Sequence, residues 1–267
     1  MSTRPTAQRS WSRRIVIGAV VLVALVVGGP FVYIHFIEGK AAAKLSLSAS
    51  GPGAASVPLD GTWSVSSGSQ AGYRVDEVLF GQNNTAVGRT TDVTGSIVIA
   101  GTTVASGSFT VDLTTVHSDQ RLRDNQFRTR IMDVAKYPDA TFRVTRPIDF
   151  GTPPANGVAK TVMAEGDLTL RGVTRPVTVT MSARPAAATI QVLGSLPVAF
   201  PSWSIPNPSF AGIKTKDDGV IEFLLDLTKG ASTTQATAAP TPSTTPAGPS
   251  GHVPPTISPT TVPPLGF

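Results

Sequence analysis

Arg121-Leu-Arg-Asp-Asn-Gln-Phe-Arg-Thr-Arg-Ile-Met-Asp-Val-Ala-Lys-Tyr-Pro-Asp-Ala-Thr-Phe142 decides the reading of this 267-residue chain, because nearly everything around it reads as β-strand. The stretch itself reads as a short helix and a turn. Ser118 or Asp119 is placed to cap the first turn by accepting orphan backbone N–H bonds. Leu122, Phe127 and Ile131 recur at roughly helical spacing, so one side can pack on a sheet. Arg121, Arg123, Asp124, Arg128 and Arg130 occupy the other side. Pro138 lacks a backbone donor and restricts Tyr137 before it, which ends the helix, and a strand resumes at Thr141.

Outward from this helix, period-two alternation punctuated by Gly and Asn predicts strands at 62–66, 72–80, 86–89, 92–100, 104–113, 141–148, 162–170, 175–183, 189–200 and 219–227. In one of them Phe109, Val111 and Leu113 share a face against Ser108, Thr110 and Asp112. Short loops at Ala100-Gly101-Thr102 and Leu170-Arg-Gly-Val-Thr174 imply antiparallel neighbours. So many alternating strands with one or two short helices give an all-β barrel or sandwich. Closure removes exposed edges, and a barrel of about eight strands can hold one elongated ligand.

The ends of the chain differ from its middle. Residues 57–230 carry sixteen Lys/Arg and sixteen Asp/Glu, so the domain is neutral and the net charge of +5 resides elsewhere. A nucleic-acid partner is therefore not expected. Residues 1–14 form a basic segment, and 15–37 contain no Asp, Glu, Lys or Arg. As a helix, 15–37 reaches about 35 Å, against a hydrocarbon core of about 30 Å. Basic residues ahead of such a span place the N-terminus in the cytoplasm and the domain outside, on the cell membrane. A cleaved signal peptide, with Ala41-Ala42-Ala43 as the cleavage region, is the rival reading. Residues 38–56, rich in Ala, Ser and Gly, read as a flexible tether. Residues 231–267 hold nine prolines, nine threonines and no charged side chain, so they read as a disordered tail.

Chemistry-bearing groups are few. There is no cysteine, and His117 is the one histidine of the domain, which argues against a His/Cys zinc site; no metal or cofactor is expected. His117-Ser118-Asp119 reads as a strand-to-helix junction, since triad members meet in space and are seldom consecutive. Asp217-Asp218-Gly219 reads as a hairpin turn. No phosphate loop or nucleophile elbow is present, so the chain reads as a non-enzyme. Arg121 and Arg123 have two readings. One is an ion pair fixing the helix to the barrel; the other is a guanidinium facing the mouth and binding an anionic head group. Phe109, Phe127, Phe142, Trp203, Phe210 and Phe223 are the candidates to line an interior.

Arg123-Asp124, Lys136-Tyr137-Pro138 with Thr141-Phe142, Gly166-Asp-Leu-Thr-Leu170, Arg171-Gly172-Val173-Thr174-Arg-Pro-Val-Thr178, Ile205-Pro-Asn-Pro-Ser209 and Gly219-Val-Ile-Glu-Phe-Leu-Leu225 occur in an order and spacing that resemble the YceI-like family. The resemblance covers roughly residues 58–229. It implies a lipocalin-like antiparallel barrel whose cavity takes a polyisoprenoid or related isoprenoid lipid, such as a quinone or polyprenyl phosphate, as a carrier or sequestering protein. Gln126 stands where members often carry His, and Ile131-Met132 replaces an aromatic pair. The apolar span and Thr/Pro tail resemble membrane-anchored versions from high-GC Gram-positive bacteria. The alternatives are a surface module with a filled barrel that binds envelope proteins, and an enzyme acting on an envelope lipid.

Overall fold

The computed structural model describes residues 8–32, 41–48, 58–79, 81–186, 188–210 and 212–230. The Thr/Pro tail therefore lies outside the described residues, as do residues 33–37 of the expected span and 38–40 and 49–56 of the expected tether.

Helix α1 runs from Gln8 to Val32. It starts earlier than the expected span and takes in Arg9, Arg13 and Arg14. Its uncharged part, 15–32, is about 27 Å long at 1.5 Å per residue. Among the described residues no helix is long and apolar enough to cross a membrane. The transmembrane helix expected over 15–37 is thus not shown, and its residues 33–37 lie outside the described residues.

Among the described residues the domain has thirteen strands: β1 (Gly61–Val65), β2 (Gln70–Leu79), β3 (Gln82–Thr90), β4 (Val93–Ala100), β5 (Thr103–Asp112), β6 (His117–Ser118), β7 (Asp139–Val144), β8 (Ile148–Asp149), β9 (Lys160–Leu170), β10 (Val173–Ala186), β11 (Thr189–Ala199), β12 (Ile213–Thr215) and β13 (Asp218–Lys229). Every pairing is antiparallel. The ring β1-β4-β5-β7-β9-β10-β11-β13 closes on itself through Trp63 opposite Lys229, giving an eight-stranded barrel. All ten expected strands are present. The run expected over 141–148 is broken into β7 and β8, which both pair with β5.

Alternation decides which way each side chain points. In β9, Ala164, Gly166, Leu168 and Leu170 are buried while Thr161, Met163 and Glu165 are exposed. The β9–β10 hairpin turns on Arg171 (φ 48°) and Gly172 (φ 75°), opposite the Leu170–Val173 pair. Two consecutive positive φ values make the tight turn whose twist matches the strands. Tyr137 packs under this turn, and a Cβ on Gly172 would meet its ring at 2.5 Å. The Lys136 ammonium and Arg171 guanidinium lie 5.0 and 5.9 Å from that ring's centroid.

Strands β2, β3 and β6 continue the sheet past β13 and lead to helix α2 (Arg121–Gln126), which ends in a wider π-type turn, Phe127–Ile131. Four local expectations are corrected here. The residue flanking α2 is Gln120, and no side chain caps it; instead Asp124 reaches back to the Ser118 backbone N–H and hydroxyl, each at 2.7 Å. Leu122 is 60% exposed and does not pack on the sheet. The helix ends at Ile131, well before Pro138, as Asp133 turns the chain with φ 52°. Asp217-Asp218-Gly219 is not a hairpin turn either. β12 and β13 both pair with β2 in the same direction; Asp217 lies between them, and Asp218 and Gly219 begin β13, opposite Ala199 and Val198 on β11.

Residues 41–48, within the expected tether, lie against the outer wall. Arg74 and Arg89 donate to the carbonyls of Ala42 and Ala43, and both guanidiniums pair with Glu222, at 3.3 and 2.6 Å. Gln191 holds Ser48 through its backbone N–H (3.2 Å) and hydroxyl (3.1 Å).

Candidate functional site

The interior is hollow, and the reason is a pairing between aromatic rings and glycines. A Cβ on Gly194 would meet the Phe223 ring at 2.3 Å, and one on Gly88 would meet Tyr73 at 2.4 Å. One on Gly166 would meet Phe142 at 2.4 Å, and one on Gly95 would meet Phe109 at 2.8 Å. Three of these glycines sit directly opposite their aromatic residue on the neighbouring strand. Each ring therefore lies against the wall, in the space a side chain would fill, and leaves the lumen open.

Two chambers result. The first, of about 190 Å³, is lined by thirty residues, of which Thr141 and Lys160 alone are polar. The Lys160 ammonium is turned to the rim, where it donates to the Thr152 carbonyl at 2.9 Å. The second chamber, of about 220 Å³, lies at the α2 end. The two meet at Ala71, Val111, Ala140, Leu170 and Ile221, which line both. The small Ala71 and Ala140 are buried at this junction.

The second chamber carries the polar groups. Glu77, 6% exposed, points inward from β2 and accepts from Arg123 (3.1 Å) and from the Asn84 amide (2.8 Å). Arg123 also pairs with Asp119. Tyr73 stacks on Phe127 with centroids 5.1 Å apart, and burial pushes its phenol above the ordinary range, against an opposing pull from Arg123. It stays a neutral donor at any physiological pH. Gln120, Gln126 and Thr215 also line it, and Gln126 accepts from Arg130 at 2.9 Å. Arg130 also donates to the carbonyls of Asn207 and Pro208, fixing the segment below β12.

The candidates drawn from the sequence separate accordingly. Phe109, Phe142 and Phe223 line the first chamber; Phe127, Phe210 and Arg123 line the second. Trp203 lines neither: it is buried in the wall, with its indole N–H 3.5 Å from the Leu168 carbonyl. Arg121 is exposed and lines neither. Arg123 makes the helix-to-barrel ion pair, the first of its two readings, and does so inside the chamber. Sequence reasoning missed Tyr73, Glu77 and the four glycines. The signal was a glycine at an inward position of a strand. His117 is exposed, its ring 3.3 Å from the Thr115 carbonyl. Among the described residues no cluster of three or more His, Asp or Glu is placed to hold a metal.

Residues 63–227 match the model of the YceI-like domain. The chain belongs to the YceI-like family. Its YceI-like fold is also seen in a solved polyisoprenoid-binding domain from Saccharophagus degradans implicated in plant cell wall breakdown, with a TM-score of 0.52 over 63% of this chain and 98% of that one, at 19% identity. Two UPF0312 proteins, from Vibrio parahaemolyticus and Vibrio campbellii, are each 40% identical over 70 residues, 26% of this chain. The chain spans about a third of the length of these curated relatives.

Proposed function

We propose that this YceI-like barrel binds an isoprenoid lipid as a non-catalytic carrier or sequestering protein. The observation that carries the reading is the first chamber, a hollow whose thirty lining residues include no buried charge. Each CH₂ moved from water into such a space contributes about 0.8 kcal/mol. The tail occupies the first chamber and passes the Ala71–Ala140 junction. The head group sits in the second chamber against Tyr73, Glu77 and Arg123.

The head group is uncharged, of the quinone or alcohol kind. Arg123 faces two carboxylates, Glu77 and Asp119, and Asp124 lies close by. A polyprenyl phosphate would enter a region already negative and find its guanidinium engaged. The neutral Tyr73 hydroxyl suits a carbonyl acceptor.

The N-terminal region anchors the protein to the cell membrane with the barrel outside. The support is the uncharged run 15–37 and the apolar surface of α1, on which Val20, Leu22, Val23 and Val26 are each at least 60% exposed. So much apolar surface on one helix calls for a lipid or protein cover.

Native mass spectrometry of the full chain extracted from its own membrane tests the reading. The expected result is one neutral isoprenoid lipid per barrel. Repeated lipid-free preparations, or a phosphate-bearing lipid, would count against it.

A further inference from the structure

The geometry points to the α2 end of the barrel as the mouth that faces the bilayer and exchanges lipid with it. This rests on the lipid-binding and membrane-anchored reading above, and adds which of two openings is used.

The first observation is the direction of the strap formed by residues 41–48. Ala42 and Ala43 are held by Arg74 and Arg89, with Arg74 opposite Val220 on β13. Ser48 is held by Gln191, which lies opposite Asp226 on the same strand. From Val220 to Asp226 is six residues, about 20 Å of strand. As the chain advances, the strap therefore runs away from α2; traced backwards, it heads toward the α2 end. Nine residues, 33–41, separate the end of α1 from Ala42, a reach of at most about 32 Å. The α2-end rim at Leu79 is five residues along β2 from Arg74, about 17 Å away. A chain leaving the strap in its own direction meets that rim first.

The second observation is independent of the strap. Leu122 (60% exposed) and Phe210 (43% exposed) both line the second chamber and stand at its opening. Neither packs into the wall, and both are large apolar side chains at the entrance of an apolar cavity. Exposed Arg121, Lys214 and Lys216 flank them, one beside Leu122 and two in and after β12, with exposed Asp217 and Asp218 next in the chain. Large apolar side chains at a cavity entrance, set among charged neighbours of both signs, match a bilayer interface. The occupant of this face is therefore the bilayer that holds the N-terminal region, entered by Leu122 and Phe210.

The chain has no cysteine, so single-cysteine labels are unambiguous. The full chain carrying Leu122→Cys, Phe210→Cys or, at the opposite end, Val158→Cys is labelled with an environment-sensitive fluorophore. It is reconstituted in phosphatidylcholine–phosphatidylglycerol vesicles containing a lipid-borne quencher. Quenching at 122 and 210 with none at 158 is the expected result. Quenching at 158 with none at 122 and 210, or at none of the three in protein that floats with the vesicles, overturns the assignment of the mouth while leaving the anchor intact. Failure to float overturns the anchored reading, and the mouth assignment with it. Leu122→Asp serves as the second variant, since an exposed position tolerates the change. Its uptake of a fluorescent polyprenyl quinone from those vesicles slows several-fold at unchanged melting temperature. Unchanged uptake overturns the proposal. Lipid content measured on the same preparations separates loss of the mouth from absence of a lipid-binding cavity.

Discussion

Gly194→Ala tests the reason the barrel is hollow. The new methyl would stand 2.3 Å from the Phe223 ring, and ordinary contact begins at 3.4 Å, so the ring must retreat by about 1.1 Å or change rotamer. The three atoms nearest the methyl all belong to that ring, which can yield. The open direction for the ring is the first chamber. A hollow of about 150 Å³ holds a benzene ring, so a ring swung into the chamber takes most of its roughly 190 Å³. That removes room for about one five-carbon prenyl unit, up to about 4 kcal/mol relative to water. Competition with detergent or bilayer reduces this, and a loss of at least about tenfold in affinity is expected. Overpacking lowers stability by about 1–3 kcal/mol. A fluorescent polyprenyl quinone titration reads the first effect and calorimetry the second. Phe223→Ala in the same chain restores the affinity, since it removes the clashing ring. A crystal structure showing the ring inside the chamber with affinity unchanged would refute the claim that lipid uses that space. A ring that moves without entering the chamber would refute the geometric step.

Other outcomes follow from the same geometry. Ala140→Phe closes the junction between the chambers; affinity for a long polyprenyl quinone falls while that for a short-chain analogue is kept, measured by the same titration. Arg123→Met strands Glu77, 6% exposed, without its cation; stability drops by about 3 kcal/mol, or roughly 6–12 °C in melting temperature. Tyr73 has a folded-state pKa raised above its unfolded value of 10.0 by burial. Its contribution is therefore complete below pH 10 and is lost as pH rises through the folded value. Tyr73→Phe abolishes that alkaline component while leaving stability near neutrality close to unchanged, as read by melting temperature against pH.

The parts of the fold that were legible share one property: they are written in adjacent residues. Alternation in Thr161–Leu170 or Val104–Leu113 names a strand and its inward face without reference to any partner. The cavity is written across strands. Gly194 and Phe223 are paired by the β11–β13 register, and nothing local marks that glycine as the seat of a ring. Glu77 and Arg123 lie 46 residues apart, so an inward carboxylate on β2 and a helix arginine could not be joined beforehand. Leu122 kept helical spacing yet fell at the chamber's opening, because α2 borders that opening and does not lie flat on the barrel's side. Asp217-Asp218-Gly219 has turn composition, but β2 pairs with both flanking segments and holds them in line. Ala42 and Ala43 offer no side-chain signal at all, being held through their carbonyls.

The central claim is that a prenyl chain threads both chambers with its head at the α2 end. A polyprenyl quinone bearing a photoreactive diazirine at the tail tip, irradiated with the full-length protein and mapped by peptide mass spectrometry, tests it most directly. Adducts on first-chamber residues such as Phe109, Val179 and Met181 are predicted. Adducts confined to the outer wall, or to the second chamber, would contradict it.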